Sequence, residues 1–283
     1  MHFSDRLKGA SLAFFGVVSL SPDSLLIRLI DADLWNVMFL RSAFMFSILL
    51  LLGLVVNRGG DWRDLVSFDR YAIGIALVMS VGNIFFVASV QNTSVAHTLI
   101  IFGAAPVFAS LIALWWLKER LELRSWLTIG VVICCLVLVV GDGANSHWRG
   151  DLYALVGCML WSSIFVLGRK TRVRNMIITM SLSGLINALW SWPLSDLAQL
   201  SAAQVGLGAL LGLCVGLAMI QITLAPRFIP AGEVAVFMPL ESVIGSLLVW
   251  WFIGEYPGLI SIVAGSVMIS AIMLNSYQRI RLV

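Results

Sequence analysis

From Tyr71 to Leu117 the chain carries no Asp, Glu, Lys or Arg, and from Leu197 to Pro226 again none. A hydrocarbon core of about 30 Å is crossed by roughly 20 apolar helical residues, so such runs read as membrane-spanning helices joined by short turns. Composition agrees. Of 283 residues, 60% are apolar and 12% charged, with a mean hydropathy of +0.98. A soluble domain carries about twice that charged fraction. Disorder, whose signature is low hydrophobicity, is excluded on the same ground. The expected fold is an all-α integral membrane protein.

Ten transmembrane helices are predicted, at 8–30, 34–56, 71–91, 95–117, 125–141, 150–168, 176–195, 204–226, 231–253 and 258–276. The basic residues alternate with these crossings. Of the 18 Lys and Arg, 15 fall in segments on one side, from Arg6 and Lys8 through Arg169 and Lys170 to Arg279 and Arg281. Arg28 and Arg149 fall on the other side, and Arg41 lies inside crossing 2. By the positive-inside rule both termini face the cytoplasm, so a multi-pass protein of the cytoplasmic (inner) membrane is expected. Arg6 and Lys8 before the apolar stretch Ala10–Leu20 resemble a secretory signal. No A-x-A cleavage site follows, and the segment is expected to be retained.

Cys134, Cys135, Cys158 and Cys214 sit in apolar segments without CxxC spacing, and His2, His97 and His147 are dispersed. No metal site and no cofactor are expected. With no nucleotide-binding motif present, transport driven by ATP would need a partner chain. The partners expected are a small-molecule substrate, the lipid bilayer and protons as a coupling ion, with no nucleic acid, in a monomer or homodimer.

The chain also repeats itself. At an offset of 141, Gly9 matches Gly150, Ala13 matches Ala154, Gly16 matches Gly157, Ser21 matches Ser162 and Arg28 matches Arg169. At an offset of 136, Val107 matches Val243, Trp115 matches Trp251 and Glu119 matches Glu255. Two five-helix repeats follow, 8–141 and 150–276. Five is odd, so the second repeat enters the membrane from the opposite side. That is an inverted-topology repeat, an arrangement typical of secondary transporters with a midplane site between the halves. Gly208, Gly212 and Gly216 lie at four-residue spacing and permit close helix contact. Trp115-Trp116, Trp190, Trp192 and Trp250-Trp251 fall near helix ends and read as interfacial anchors.

Several stretches carry a family resemblance. Ala105-Pro106-Val107-Phe108 is followed, thirteen residues after the proline, by Glu119-Arg120; Leu240-Glu241-Ser242-Val243 is followed at the same spacing by Gly254-Glu255. With ten helices in two halves, the chain resembles the drug/metabolite transporter superfamily with two EamA-type domains. Ser21-Pro22-Asp23-Ser24-Leu25-Leu26-Ile27-Arg28 resembles one branch of that family. Ser242 stands where the family usually has proline, which implies a straighter crossing 9. The resemblance implies fold and broad role, and it favours efflux of amino acids or related metabolites.

Polar residues at depth are the candidate site. A charge at the bilayer centre costs about 2.5–3.5 kcal/mol on insertion scales, so each needs a reason. Glu241 falls beside the midpoint of crossing 9, which itself offers no compensating cation. It reads either as a substrate-ammonium or proton site, or as a protonated acid bonded to a neighbouring helix. Asn83, Asn187, Trp161 and Ser162 also fall near the midplane, as substrate groups or as bonds between helices. Asp23 and Arg41 each lie nine positions from the turn near residue 32, about 10–14 Å deep at about 1.5 Å per residue. They read as a buried ion pair, or more sharply as a gate. His97 and Glu233 correspond at the 136 offset, near opposite faces, and either could titrate during transport. Glu119 and Glu255 are expected to cap crossings 5 and 10 or to fix the turns before them.

The expected function is secondary transport of a small polar or amphipathic, amino-acid-like metabolite, by export through alternating access. The alternative is import of a vitamin- or nucleoside-like compound. An intramembrane enzyme is disfavoured: no HExxH is present, and Ser181-Leu182-Ser183-Gly184 lacks the first glycine of a GxSG site.

Overall fold

The computed structural model describes residues 3–56, 70–118, 121–141, 147–171, 176–229, 234 and 237–281. Among them the chain is helical and contains no strand. The helices are α1 (Phe3–Leu20), α2 (Asp23–Ile30), α3 (Leu34–Val56), α4 (Arg70–Asn92), α5 (Val95–Gly103) and α6 (Ala105–Trp116). They continue with α7 (Leu123–Val140), α8 (Trp148–Thr171), α9 (Met176–Ser191), α10 (Ala202–Leu224), α11 (Pro239–Ile253) and α12 (Leu259–Arg281). Seven helical stretches are long and apolar enough to cross a membrane, counting α1 with α2 and α5 with α6 as single spans, and Pro239–Ile253 and Leu259–Asn275 are shorter apolar helices. Large apolar side chains cover the outside. Trp115 and Trp251 are 83% and 86% exposed, as suits residues facing lipid.

Three prolines set the interruptions. Pro22 cannot donate a backbone hydrogen bond, and the chain turns at Ser21-Pro22 before Asp23 opens α2. Pro106 breaks crossing 4 at Ala104, where α5 ends and α6 begins. Backbone groups there find partners on α8: Ser162 Oγ lies 3.0 Å from the Ala105 carbonyl, and Cys158 Sγ lies 3.9 Å from that of Phe102. Pro239 occupies the first turn of α11. Within the described residues crossing 9 is interrupted at 237–238, where the chain turns before Pro239 opens α11, three residues ahead of Ser242. Glu241 consequently lies in the first turn of α11 and not at the middle of a continuous helix.

Helix contacts come in exchanged couples. α1 packs on α10 and α4 on α8; α3 packs on α10 and α4 on α9; α6 packs on α8 and α1 on α11. The pairs α3–α9, α5–α11 and α7–α12 also pack together. The matched glycines sit at these approaches. A Cβ at Gly16 would lie 2.8 Å from Ile222 on α10, and one at Gly157 would lie 3.2 Å from Phe85 on α4. The stripe Gly208, Gly212, Gly216 faces Leu40, Phe44 and Ile48 of α3 in step, two parallel helices meeting without side chains on one face.

Candidate substrate site and vestibule

At the Ser21-Pro22 break, Asp23 is the first residue of α2, and Arg41 reaches it from α3. Arg41 Nη2 donates to Asp23 Oδ2 at 2.8 Å and Nε to Oδ1 at 3.1 Å, with both side chains 3% exposed. This fork-to-fork geometry is the strong form of the pair. The Arg41 guanidinium also stands 5.8 Å from the Phe86 ring centroid, and Phe86 meets Phe102 edge-on at 5.0 Å. Arg41 Nη1 is buried with no acceptor.

Glu241 approaches this pair from α11, within electrostatic range of both Asp23 and Arg41. The cation within range, Arg41 on α3, is already engaged by Asp23. The Glu241 side chain is only partly buried, and no described residue forms a hydrogen bond or ion pair with its carboxyl. The next residue anchors α11 against the first half, Ser242 Oγ donating to the Leu99 carbonyl at 2.8 Å. A Cβ at Gly245 would meet Leu99 at 2.7 Å and the Ser21 carbonyl at 3.3 Å. The breaks in crossings 1 and 9 therefore lie against one another, with two carboxylates and one guanidinium between them.

The other candidates divide. Asn83 is buried on α4, and Trp161 lies against that helix, its Cδ1 3.0 Å from where a Cβ at Gly82 would be. Ser162 donates to the Cys158 carbonyl at 2.6 Å and approaches that of Ala105, so its proton serves the backbone. Asn187 is buried on α9 with neither amide atom partnered, and Ser42 and Ser183 hydroxyls nearby in the α3–α9 interface are also unpartnered. Glu233 and Glu119 lie outside the described residues.

His97 is fully buried in the first turn of α5, capped by Ser94 Oγ. Its Nδ1 lies 3.4 Å from Oδ1 of Asp151, itself fully buried on α8, and Thr93 Oγ1 donates to the same carboxylate oxygen at 2.7 Å. Arg28 donates to the Thr93 carbonyl at 2.8 Å and pairs with Glu255 at 3.3 Å. Glu255 Oε1 accepts the Val95 backbone N–H at 2.7 Å. Glu255 therefore caps α5, not crossing 10, because its carboxylate lies at the positive end of that helix. Above these contacts opens a cavity of about 460 Å³ lined by Arg28, Gln91, Asn92, Thr93, Ser94, His147, Glu255 and Tyr256. Asp151 and Thr93 were not singled out from the sequence, and Arg28 was not among the site candidates. The signal available was that Arg28 and Arg149 alone break the basic asymmetry.

Residues 7–141 match the EamA-like transporter family. An uncharacterized transporter of Archaeoglobus fulgidus is 20% identical over 94% of this chain and 95% of its own length. The S-adenosylmethionine uptake transporters of Rickettsia bellii and Rickettsia felis are 22% and 20% identical, over 97% and 96% of this chain and 97% and 93% of their own. A solved crystal structure superposes with a TM-score of 0.66 at 16% identity, covering 97% of this chain and 98% of that one. That last likeness concerns the fold alone.

Proposed function

We propose, from the match of residues 7–141 to the EamA-like transporter family, that this chain carries a small amphipathic metabolite with a cationic group across the cytoplasmic membrane by alternating access. One observation carries the substrate class. Asp23 and Arg41 neutralise each other, and the Glu241 carboxyl beside them has no partner among the described residues. The site is one positive charge short. A proton or a substrate ammonium can supply it in turn, which is the chemistry of an exchange between them. Phe86 and Phe102 offer aromatic surface next to these charges for an apolar part of the cargo. Asn83, Asn187 and Trp161 are the secondary candidates for contact with it.

Direction is read as import. The sequence resemblance favours export, but the two Rickettsia relatives are named for uptake. S-adenosyl-L-methionine is therefore the first solute to try. The bundle is read as two inverted repeats, 8–141 and 150–276, with both termini cytoplasmic. The exchanged packing couples and the basic asymmetry support that reading.

The test is flux into proteoliposomes of S-adenosyl-L-methionine and an amino-acid panel, with and without a pH gradient. Glu241→Gln keeps side-chain size and should insert normally, lose the pH dependence of flux and bind cationic solutes more weakly. An unchanged rate and pH profile would leave Glu241 a packing residue and move the substrate role to Asn83 and Asn187.

A further inference from the structure

The vestibule holds a bipolar ion pair of unusual placement. Arg28 and Glu255 are 3.3 Å apart, 29% and 24% exposed, and both line the cavity of about 460 Å³. Such a volume suits a small metabolite. Among the described residues the rest of that lining is amide, hydroxyl, imidazole and phenol. Arg28 Nε is buried and has no acceptor, so the guanidinium is not saturated by Thr93 and Glu255. Each member of the pair also holds a distant element. Arg28 on α2 ties the Thr93 carbonyl, and Glu255, placed by the left-handed Gly254 at the end of α11 (φ 80°), caps Val95 on α5.

We infer that this vestibule is a second binding site, distinct from the Glu241 site, for the zwitterionic head group of an α-amino acid or its derivative. The ligand's carboxylate takes the exposed end of the Arg28 guanidinium, and its ammonium takes the Glu255 carboxylate. Ligand charges thereby replace each partner of the pair, so no charge is left bare. A cation alone or an anion alone would strand Arg28 or Glu255, which is the costly outcome for a partly buried pair. Occupation withdraws Glu255 from the Val95 N–H and Arg28 from Thr93. The contacts that hold α2, α5 and the end of α11 together are released by the ligand class that enters. This deepens the transport reading by naming the head group that cargo presents first.

Hydrogen exchange of the purified full chain in nanodiscs tests it without requiring flux. The probes are L-methionine, 3-(methylthio)propylamine and 4-(methylthio)butanoate, which share a tail and differ in charge. Millimolar L-methionine should speed exchange of the 93–103 amides about fivefold, the scale of losing one modest ion pair. The amine and the acid alone should not. Glu255→Gln keeps an acceptor for Val95 and should fold, but its exchange should no longer respond to L-methionine; Arg28→Gln should behave alike. No response in the native chain, an equal response to either single-charge probe, or a response surviving in Glu255→Gln would overturn the site. Glu241→Gln must retain the response. If it does while the native chain carries no solute in proteoliposomes, the transport reading falls and the vestibule site stands.

Discussion

Arg41 serves two carboxylates, and this makes the cost of dismantling its ion pair lopsided. Removing one partner of a buried pair typically costs about 3–5 kcal/mol, because the remaining charge is left uncompensated. Arg41→Gln should pay that in full. It leaves Asp23, 3% exposed, facing Glu241 with no cation between them. Asp23→Asn should cost only about half as much, since Arg41 keeps Glu241 within electrostatic range and keeps the Phe86 ring. The double variant should lose less than the sum, by about 1 kcal/mol or more. Reversible unfolding by SDS in mixed micelles measures all three. The decisive background is Glu241→Gln: there the asymmetry should vanish, with Asp23→Asn becoming as costly as Arg41→Gln. Equal losses in the native background, or an asymmetry that persists in Glu241→Gln, would refute the shared-cation account.

Packing offers plainer expectations. Gly212→Ala sets a Cβ against Phe44 and the Met45 backbone and should lower stability by about 1–3 kcal/mol, whereas Gly206→Ala meets nothing and should be neutral or better. Gly150→Ala would place a Cβ 2.6 Å from the Asn92 carbonyl carbon and should be worse, read by thermal melting in detergent. Ser94→Ala removes the cap on the His97 N–H and should cost about 1 kcal/mol. Asp151→Asn should cost more than Thr93→Val, since Asp151 is the shared partner of Thr93 and His97, and the same melting series ranks them.

The helices were legible because a charge-free apolar run is a local property and a membrane allows few backbones. Pro22 marks a break for the same local reason, since it cannot donate a backbone bond, whereas the break before Pro106 falls inside 95–117, which the sequence read as one crossing. Pro239 opens α11 after the turn at 237–238, a break that the length of an apolar run does not signal, so Glu241 lies in a first turn and not at a helix midpoint. The Asp23–Arg41 pair followed from depth, a single coordinate along a helix hairpin. Partners on helices remote in sequence did not follow. Glu255 reaches Val95 across 160 positions and Asp151 reaches Thr93 across 58, and no periodicity encodes which face of one helix meets which face of another. His97 lies near a membrane face by its place in the chain; burial by α8 is what makes it part of a network.

The two offsets separate what is duplicated from what is not. Asp23 corresponds to Ile164 and Glu241 to Ala105, so the charges of the central site occur once. Arg28 corresponds to Arg169 and Glu255 to Glu119, so the residue types of the vestibule pair occur twice. A carrier that alternates needs one cargo site and a closure at each end, and on the inverted-repeat reading proposed above the second copy falls at the opposite face. The side chains of Glu119 and Arg169 lie outside the described residues. Glu255→Gln should increase labelling of a cysteine introduced at Asn92 by a membrane-impermeant maleimide added outside right-side-out vesicles. Glu119→Gln should decrease it, because loosening the inner closure draws the population away from the outward-open state. If both substitutions shift labelling in the same direction, the two pairs are not opposed closures, and the duplication at these positions serves the turns alone.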